Sequence, residues 1–264
     1  MTQILRVKLY QPAAHFRVPF SYQRRFTYPL PPLATVKGLL CNLLGIKSDE
    51  SPEYKALFSL LSLAVYGKFT SIVKEYTWFR NLSIESHKKK FHTPQNRIHD
   101  FAPQHPGGQM PVSVDVLNDN HILLYISVAE NIDMRQAFLN PENRNDVISL
   151  GRAEDMLVIE NVKLIEPTKK EVQKIGLFTW IPDIETVDKS LLPNDSNYKK
   201  FYDSAPGNII KLPLFYRITE NNERVFDTYA TVKLYEGGIW GAKVGLLYDM
   251  EYEIPLIFSK VRNQ

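Results

Sequence analysis

The first forty-eight residues, Met1 to Ser48, carry Arg6, Lys8, Arg17, Arg24, Arg25, Lys37 and Lys47 and no Asp or Glu. Like charges repel, so a fold that begins this way must set an anionic partner against its cations or leave them spread in water. A polyphosphate is the partner the pattern favours. Cut at residue 100, the chain holds fifteen Lys and Arg against six acids before the cut and seventeen against twenty-three after it. The net charge of +3 therefore conceals a molecule with a basic N-terminal part, suited to nucleic acid, and an acidic C-terminal part, suited to water or a basic protein neighbour.

At 264 residues and 44% apolar content the chain can bury a sizeable core, as one large domain or two modest ones. The single cysteine, Cys41, lies in an apolar repeat; it excludes an internal disulfide framework or a Cys-based zinc site and fits a reducing cytoplasm. The longest strongly apolar stretch, Leu57 to Tyr66, is about half of the ~20 residues needed to cross a bilayer, so no membrane partner is expected. Met1 to Tyr10 lacks the compact hydrophobic centre of a secretion signal, and the mature chain is expected to begin at Met1.

Alternation of Ile4, Val7 and Leu9 with Arg6, Lys8 and Tyr10 predicts a first strand over residues 3–10 with a basic or aromatic face. Helical spacing of Leu33, Val36, Leu39, Leu40, Leu43 and Leu44 before Gly45 predicts a first helix. Ser51-Pro52 opens a second helix, whose stripe of Tyr54, Leu57, Phe58, Leu61 and Val65 is expected to run to Gly67. A long strand follows at 71–82, then a stretch without hydrophobic period at 83–110. Beyond it come a hairpin of 111–117 and 121–128 turned at Asn118-Asp119-Asn120, a short helix at 134–139 and a strand at 156–165. These pieces predict an α+β fold: a ferredoxin-like or RNA-recognition-like domain over 1–166, then a smaller sheet-rich subdomain over 167–264 with short strands at 212–218, 225–234, 244–247 and 254–258.

Two constellations point to RNA. Residues 86–99 hold Lys88, Lys89, Lys90 and Arg97 with His92 and Phe91 and no acid; the cations would neutralise phosphates and a ring would stack on an unpaired base. The alternative is a solvated loop kept soluble by its lysines. Arg17, Arg24 and Arg25 alternate with His15, Phe16, Phe20, Tyr22, Phe26 and Tyr28, joining bidentate phosphate contacts to stacking faces, or else placing rings in the core and arginines in water. His87, His92, His99 and His105 match no compact ligand spacing, so neither metal nor cofactor is expected. Metal-independent RNA cleavage would need a His or Tyr beside a Lys, such as His15, Tyr22 or Tyr28 with Lys37, or His92 with Lys89, in a geometry that sequence does not give. The glycines 237, 238, 241 and 245 form neither a phosphate-binding nor a dinucleotide loop and read as turns and bulges, or as a close approach to RNA or a neighbouring subunit.

The run T27-Y28-P29-L30-P31-P32-L33-A34-T35-V36-K37-G38-L39-L40, then L43-L44-G45, and the later S149-L150-G151-R152-A153-E154-D155 resemble the CRISPR-associated Cas-five family, in its type I-B-like branch. The resemblance spans the chain and implies an RNA-recognition-like domain with an inserted β-hairpin thumb at about 86–110. It implies a non-catalytic Cascade subunit that grips and caps the 5′ handle of the CRISPR RNA (crRNA) in antiviral defence. It also implies contact with a backbone subunit and the large subunit, with target DNA near its recognition motif as a further partner. Arg17, Arg24, Arg25 and Lys37 would hold handle phosphates, and Arg152 would touch RNA or form an internal ion pair with Glu154 or Asp155. A related type I-C branch cleaves precursor RNA, which keeps a metal-independent endoribonuclease open. A pure assembly subunit without RNA contact is the third alternative.

Overall fold

One strand, Gly108–Ser127, reaches through most of the molecule and sets its plan. The computed structural model describes residues 4–19, 21, 23–81, 84–92, 98–99, 102–103, 108–129, 132–141, 144–194, 196–218 and 224–262. The chain runs β1 (Ile4–Ala14), β2 (Phe16–Arg17), β3 (Arg24–Arg25), β4 (Thr27–Tyr28), α1 (Leu33–Leu43), α2 (Pro52–Leu60), β5 (Ser62–Lys68), β6 (Ser71–Asn81) and α3 (Ile84–Phe91). Next come β7 (Ile98–His99), β8 (Ala102–Pro103), β9 (Gly108–Ser127), α4 (Met134–Leu139), β10 (Val158–Ile165), β11 (Thr168–Ile175) and β12 (Phe178–Pro182). It ends with α5 (Tyr198–Ser204), β13 (Asn208–Ile218), β14 (Arg224–Tyr235), β15 (Gly238–Asp249), β16 (Ile254–Leu256) and β17 (Ser259–Lys260).

The principal sheet has the order β10-β1-β9-β5-β12-β14-β13, so its hydrogen bonds continue past residue 167. Within it β10-β1-β9-β5 is wholly antiparallel, with helical crossovers between β1 and β5 and between β9 and β10. Side-chain alternation splits the core into two layers. Leu5, Val7, Leu63, Val65, Leu124 and Ile126 face a cluster shared with α1, α2 and α4. Ile4, Ala64, Tyr66, Leu123 and Tyr125 face a second cluster, closed by α5 and the small sheet β11-β15-β16.

Local signals hold where they are local. Gly45 at φ 71 follows the last turn of α1, with Gly45 N–H donating to Asn42 O at 3.1 Å and Ile46 N–H to Cys41 O at 2.9 Å, a left-handed stop only glycine adopts without penalty. Ser51 Oγ accepts from Tyr54 N–H at 3.1 Å, and Pro52 opens α2.

Two expectations are corrected. Helix α2 ends at Leu60, and residues 62–68 form β5 instead of its continuation. Because β5 is buried on both faces, its apolar run shows no strand alternation. There is no hairpin at 118–120: β9 passes straight through, with Asp119 at φ 55 marking an irregularity inside one strand. Strands β5 and β6 pair with β9 in a single register, Ser62↔Ser127 through Asn81↔Gly108, so the long hairpin runs from the sheet centre out into an arm. The stretch without hydrophobic period at 83–110 holds, among its described residues, α3 and the two-residue β7–β8 ladder. Strands β11 and β12 and helix α5 are additions that the sequence pattern did not announce.

The basic face expected for β1 is covered. Arg6, 1% exposed, reaches Asp249 at 2.8 Å and Glu251 at 2.9 Å and lies over the Tyr252 ring at 4.3 Å. Lys8 pairs with Glu160 at 3.0 Å. Tyr125 Oη also donates to Asp249 at 2.9 Å, so removing that carboxylate strands two buried donors. Asp249→Ala is expected to lower unfolding free energy by about 3–5 kcal/mol in urea titrations, whereas the apolar pair Arg6→Met/Asp249→Leu should lose less than the single change. A near-silent Asp249→Ala would show that Arg6 is held by Glu251 and Tyr252 alone.

Candidate nucleic-acid interface

At the root of the arm lies a cleft of about 1580 Å³. Its floor is the small-residue face of α1, Ala34, Thr35 and Gly38, where a Cβ on Gly38 would meet nothing within 4 Å. Trp78 and Phe79 of β6 form one wall, and Tyr216 of β13 and Tyr229 of β14 another. Arg17, Arg25 and Arg152 line it, as do Glu75, Asp146 and Glu154. Its charge is therefore mixed, and what matters is which cations are already taken.

Arg152 is taken. Its Nη2 lies 2.8 Å from Asp155 Oδ1, Nη1 lies 3.2 Å from Glu75 Oε2, and Nε lies 3.4 Å from Glu154 Oε1. Asp155 is itself a hub, its Oδ2 accepting from the backbone N–H of His15 at 2.9 Å and of Arg152 at 2.8 Å. Gly151 completes the turn at φ 113, where a Cβ would sit 2.8 Å from Asp155 Oδ2 and 2.9 Å from His15 O. Residues 149–155 thus form a clasp that ties the end of β1 to β6 of the arm, and the ion-pair reading of Arg152 describes its contacts.

Lys37, expected to hold phosphate, is 6% exposed and absent from the cleft lining. Its ammonium sits 4.2 Å from the Phe215 ring, 5.3 Å from Tyr216 and 5.5 Å from Phe58, with Tyr54 Oη at 3.5 Å. Burial lowers its pKa, with Cys41 and Asp49 opposing weakly. Burial likewise lowers His15, whose Nδ1 lies 2.8 Å from the Asp115 carbonyl. A carbonyl only accepts, so Nδ1 carries the proton and the neutral ring leaves Nε2 as an acceptor, buried without a partner among the described residues. Tyr28 is 8% exposed, and Tyr22 lies outside the described residues.

Arg17, Arg24 and Arg25 lie at the arm root, Arg17 and Arg24 exposed and Arg25 half-buried. Arg17 is exposed, with Nη2 donating to Ser21 O at 3.1 Å. Strand β3 pairs in parallel with Ser113 and Val114, which carries Arg25 onto the Phe79 ring at 3.6 Å and Arg24 onto Phe26 at 4.5 Å, with Asp115 3.7 Å from Arg24. Lys88 and Lys89 are exposed on α3 and His92 is exposed just beyond it at φ 65. The Lys90 side chain and Arg97 lie outside the described residues. Among the described residues no three metal-ligating side chains gather, and no helix is long and apolar enough to cross a membrane. Gly237 and Gly238, at φ 98 and 121, turn the chain between β14 and β15.

Sequence reasoning missed the aromatic walls. The alternating aromatic run of β6 marked a strand, but only the cleft shows which of its rings stand beside arginines.

A profile of the family described as CRISPR-associated protein (Cas_Cas5) matches residues 4–207. Among solved structures, a chain titled "CRISPR RNA-guided surveillance complex" aligns with a TM-score of 0.52 at 10% identity, over 90% of this chain and 91% of that one, a likeness of fold. A CRISPR protein from Archaeoglobus fulgidus aligns with a TM-score of 0.46 at 12% identity, over 98% and 99%. No curated protein matches the chain.

Because the buried amine of Lys37 has a depressed pKa, the unfolded chain binds the extra proton between that value and the ordinary ~10.4, and stability from this group rises with pH through that window. Lys37→Met should keep or raise the melting temperature and flatten this alkaline rise in melts carried from neutral pH up to the ordinary lysine range, ~10.4. A large drop in stability on Lys37→Met would mean that the ammonium–ring interactions, up to ~2 kcal/mol when desolvated, outweigh the burial cost.

Proposed function

The chain belongs to the CRISPR-associated Cas5 family, and on that premise we propose that it is the non-catalytic subunit that binds and caps the crRNA 5′ handle in a Cascade-type complex. The observation that carries this reading is the cleft at the arm root, where Arg17 and Arg25 stand beside exposed rings over a floor of small residues. Guanidinium groups offer planar donors to phosphate, and rings accept unpaired bases of any sequence, a combination suited to a bent single strand. Arg24 and the α3 lysines 88 and 89 extend the positive path along the arm, while Lys37 and Arg152 act as braces beneath and beside it.

The sheet order β10-β1-β9-β5 with its two crossovers supports a ferredoxin-like reading of the N-terminal part. The sheet face that RNA-recognition domains use for stacking is closed here by β11-β15-β16 and α5, which favours the arm root over the sheet as the RNA site. The arm would meet the neighbouring backbone subunit, with the large subunit as a further partner.

A non-enzymatic role is part of the proposal. Two of the side chains that a metal-independent cleavage would recruit near the N-terminus are withdrawn, Lys37 boxed by rings and Tyr28 buried, while His15 borders the cleft at 4% exposure with its Nδ1 held by the Asp115 carbonyl. Defined cleavage of repeat RNA in EDTA by the purified chain would overturn this part.

The charge assignment is tested by salt titration. The double variant Arg17→Glu/Arg25→Glu should weaken handle-RNA binding by at least tenfold at low salt and flatten log K against log[salt] by about 0.7 for each phosphate left unneutralised. Binding and slope unchanged from the parent chain would sink the assignment of these arginines.

A further inference from the structure

Tyr76 and Trp78 stand on the arm with 66% and 56% of their surface in water. Their cross-strand neighbours on β9 are Ser113 and Pro111, too small to cover a ring. Among the described residues their one ring contact is with each other, edge to face at 6.4 Å. The neighbouring rings Phe79 and Phe26 differ, each already carrying a guanidinium on one face. Two large aromatics left bare side by side on a two-stranded arm are costly in water and mark a contact surface.

We propose that Trp78, supported by Tyr76, is a stacking platform for unpaired bases of the RNA that leaves the cleft; this rests on the handle-binding reading and names how the bases are held. Charge decides the occupant. Trp78 lines the same cleft as Arg17 and Arg25, where the acids Glu75 and Glu154 are taken up by Arg152 and Asp146 is the third acid; Lys74 lies two residues before Tyr76 on the same face of β6, and Lys88 and Lys89 are exposed on the helix that follows the strand. A polyanion with flat apolar bases matches exposed rings beside cations, whereas a folded protein partner would have to bring acids to the same places. The two rings stand at 84° to each other, so a base stacked on one is not parallel to the other, and Tyr76 braces the Trp78 platform as its neighbour.

The chain is suited to the test, because Trp180 and Trp240 are 2% and 1% exposed and Trp78 alone of its three tryptophans meets solvent. Trp78→Leu alters an exposed position and leaves both core clusters intact. Binding of oligoadenylate, and of the same strand carrying abasic riboses, is followed by tryptophan emission and by a labelled-RNA titration. The parent chain should bind the base-bearing strand about 5- to 100-fold tighter than the abasic one, the range for removing one base stack, and its red-shifted emission should be quenched. Trp78→Leu should abolish both the preference and the quench without changing the salt slope, and Trp78→Phe should restore part of the preference. Equal affinity for both strands with Arg17- and Arg25-dependent binding would overturn the platform and leave the handle-binding reading standing. No binding of either strand or of repeat RNA would defeat that reading as well. Quenching produced only by an added protein subunit would reassign the rings to a protein contact and overturn the platform.

Discussion

Hydrogen bonding along β9 is the constraint from which the rest of the structure follows. In its second half β9 pairs with β1 on one edge and β5 on the other; in its first half it carries β6 and the short parallel β3. A strand that is central at one end and half of a two-stranded arm at the other must change environment along its length. It does so near Asn118 to Asn120, where Asp119 takes a positive φ and Phe69 and Thr70 interrupt the facing strand. Thr70 Oγ1 donates to Asp119 at 2.6 Å, and Thr70 N–H donates to Asn118 O at 3.0 Å, so the boundary between body and arm is itself bonded.

Charge compensation follows the same geometry. The acid-free N-terminal stretch is neutralised in part from far along the chain: Arg6 by Asp249 and Glu251, Lys8 by Glu160, Arg24 by Asp115. Lys37 is accommodated by rings instead of by carboxylates. Arg17 and Arg25 line the cleft at the arm root, and Lys47 is exposed beyond the end of α1.

The legible parts of the fold were those decided within one turn of chain: the Gly45 stop, the Ser51 cap, and the alternation of β1 and β6. Strand β5 was hidden because burial on both faces erases the period that distinguishes strand from helix. Asn118-Asp119-Asn120 has turn chemistry and one residue with turn backbone, yet the cross-strand ladder on both sides carries the strand through. At the candidate site, Arg17 and Arg25 could be picked out by their aromatic neighbours in sequence. The boxing of Lys37 could not, since Phe215 and Tyr216 come from a strand near the other end of the chain. Arg152 was legible as a member of an ion cluster, but its third partner, Glu75, is contributed by the arm.

The common register of β5 and β6 against β9 also bears on how such an arm can change over evolutionary time. Deleting one residue from β6 alone would slide the remaining ladder by a step and turn Trp78 to the opposite side of the ribbon. Length can therefore drift only through insertions matched on both strands, and facing is kept only when each strand gains residues in twos, a lengthening of roughly 6.8 Å per event. The projection is a ruler graduated in whole pleats, and its reach is quantised.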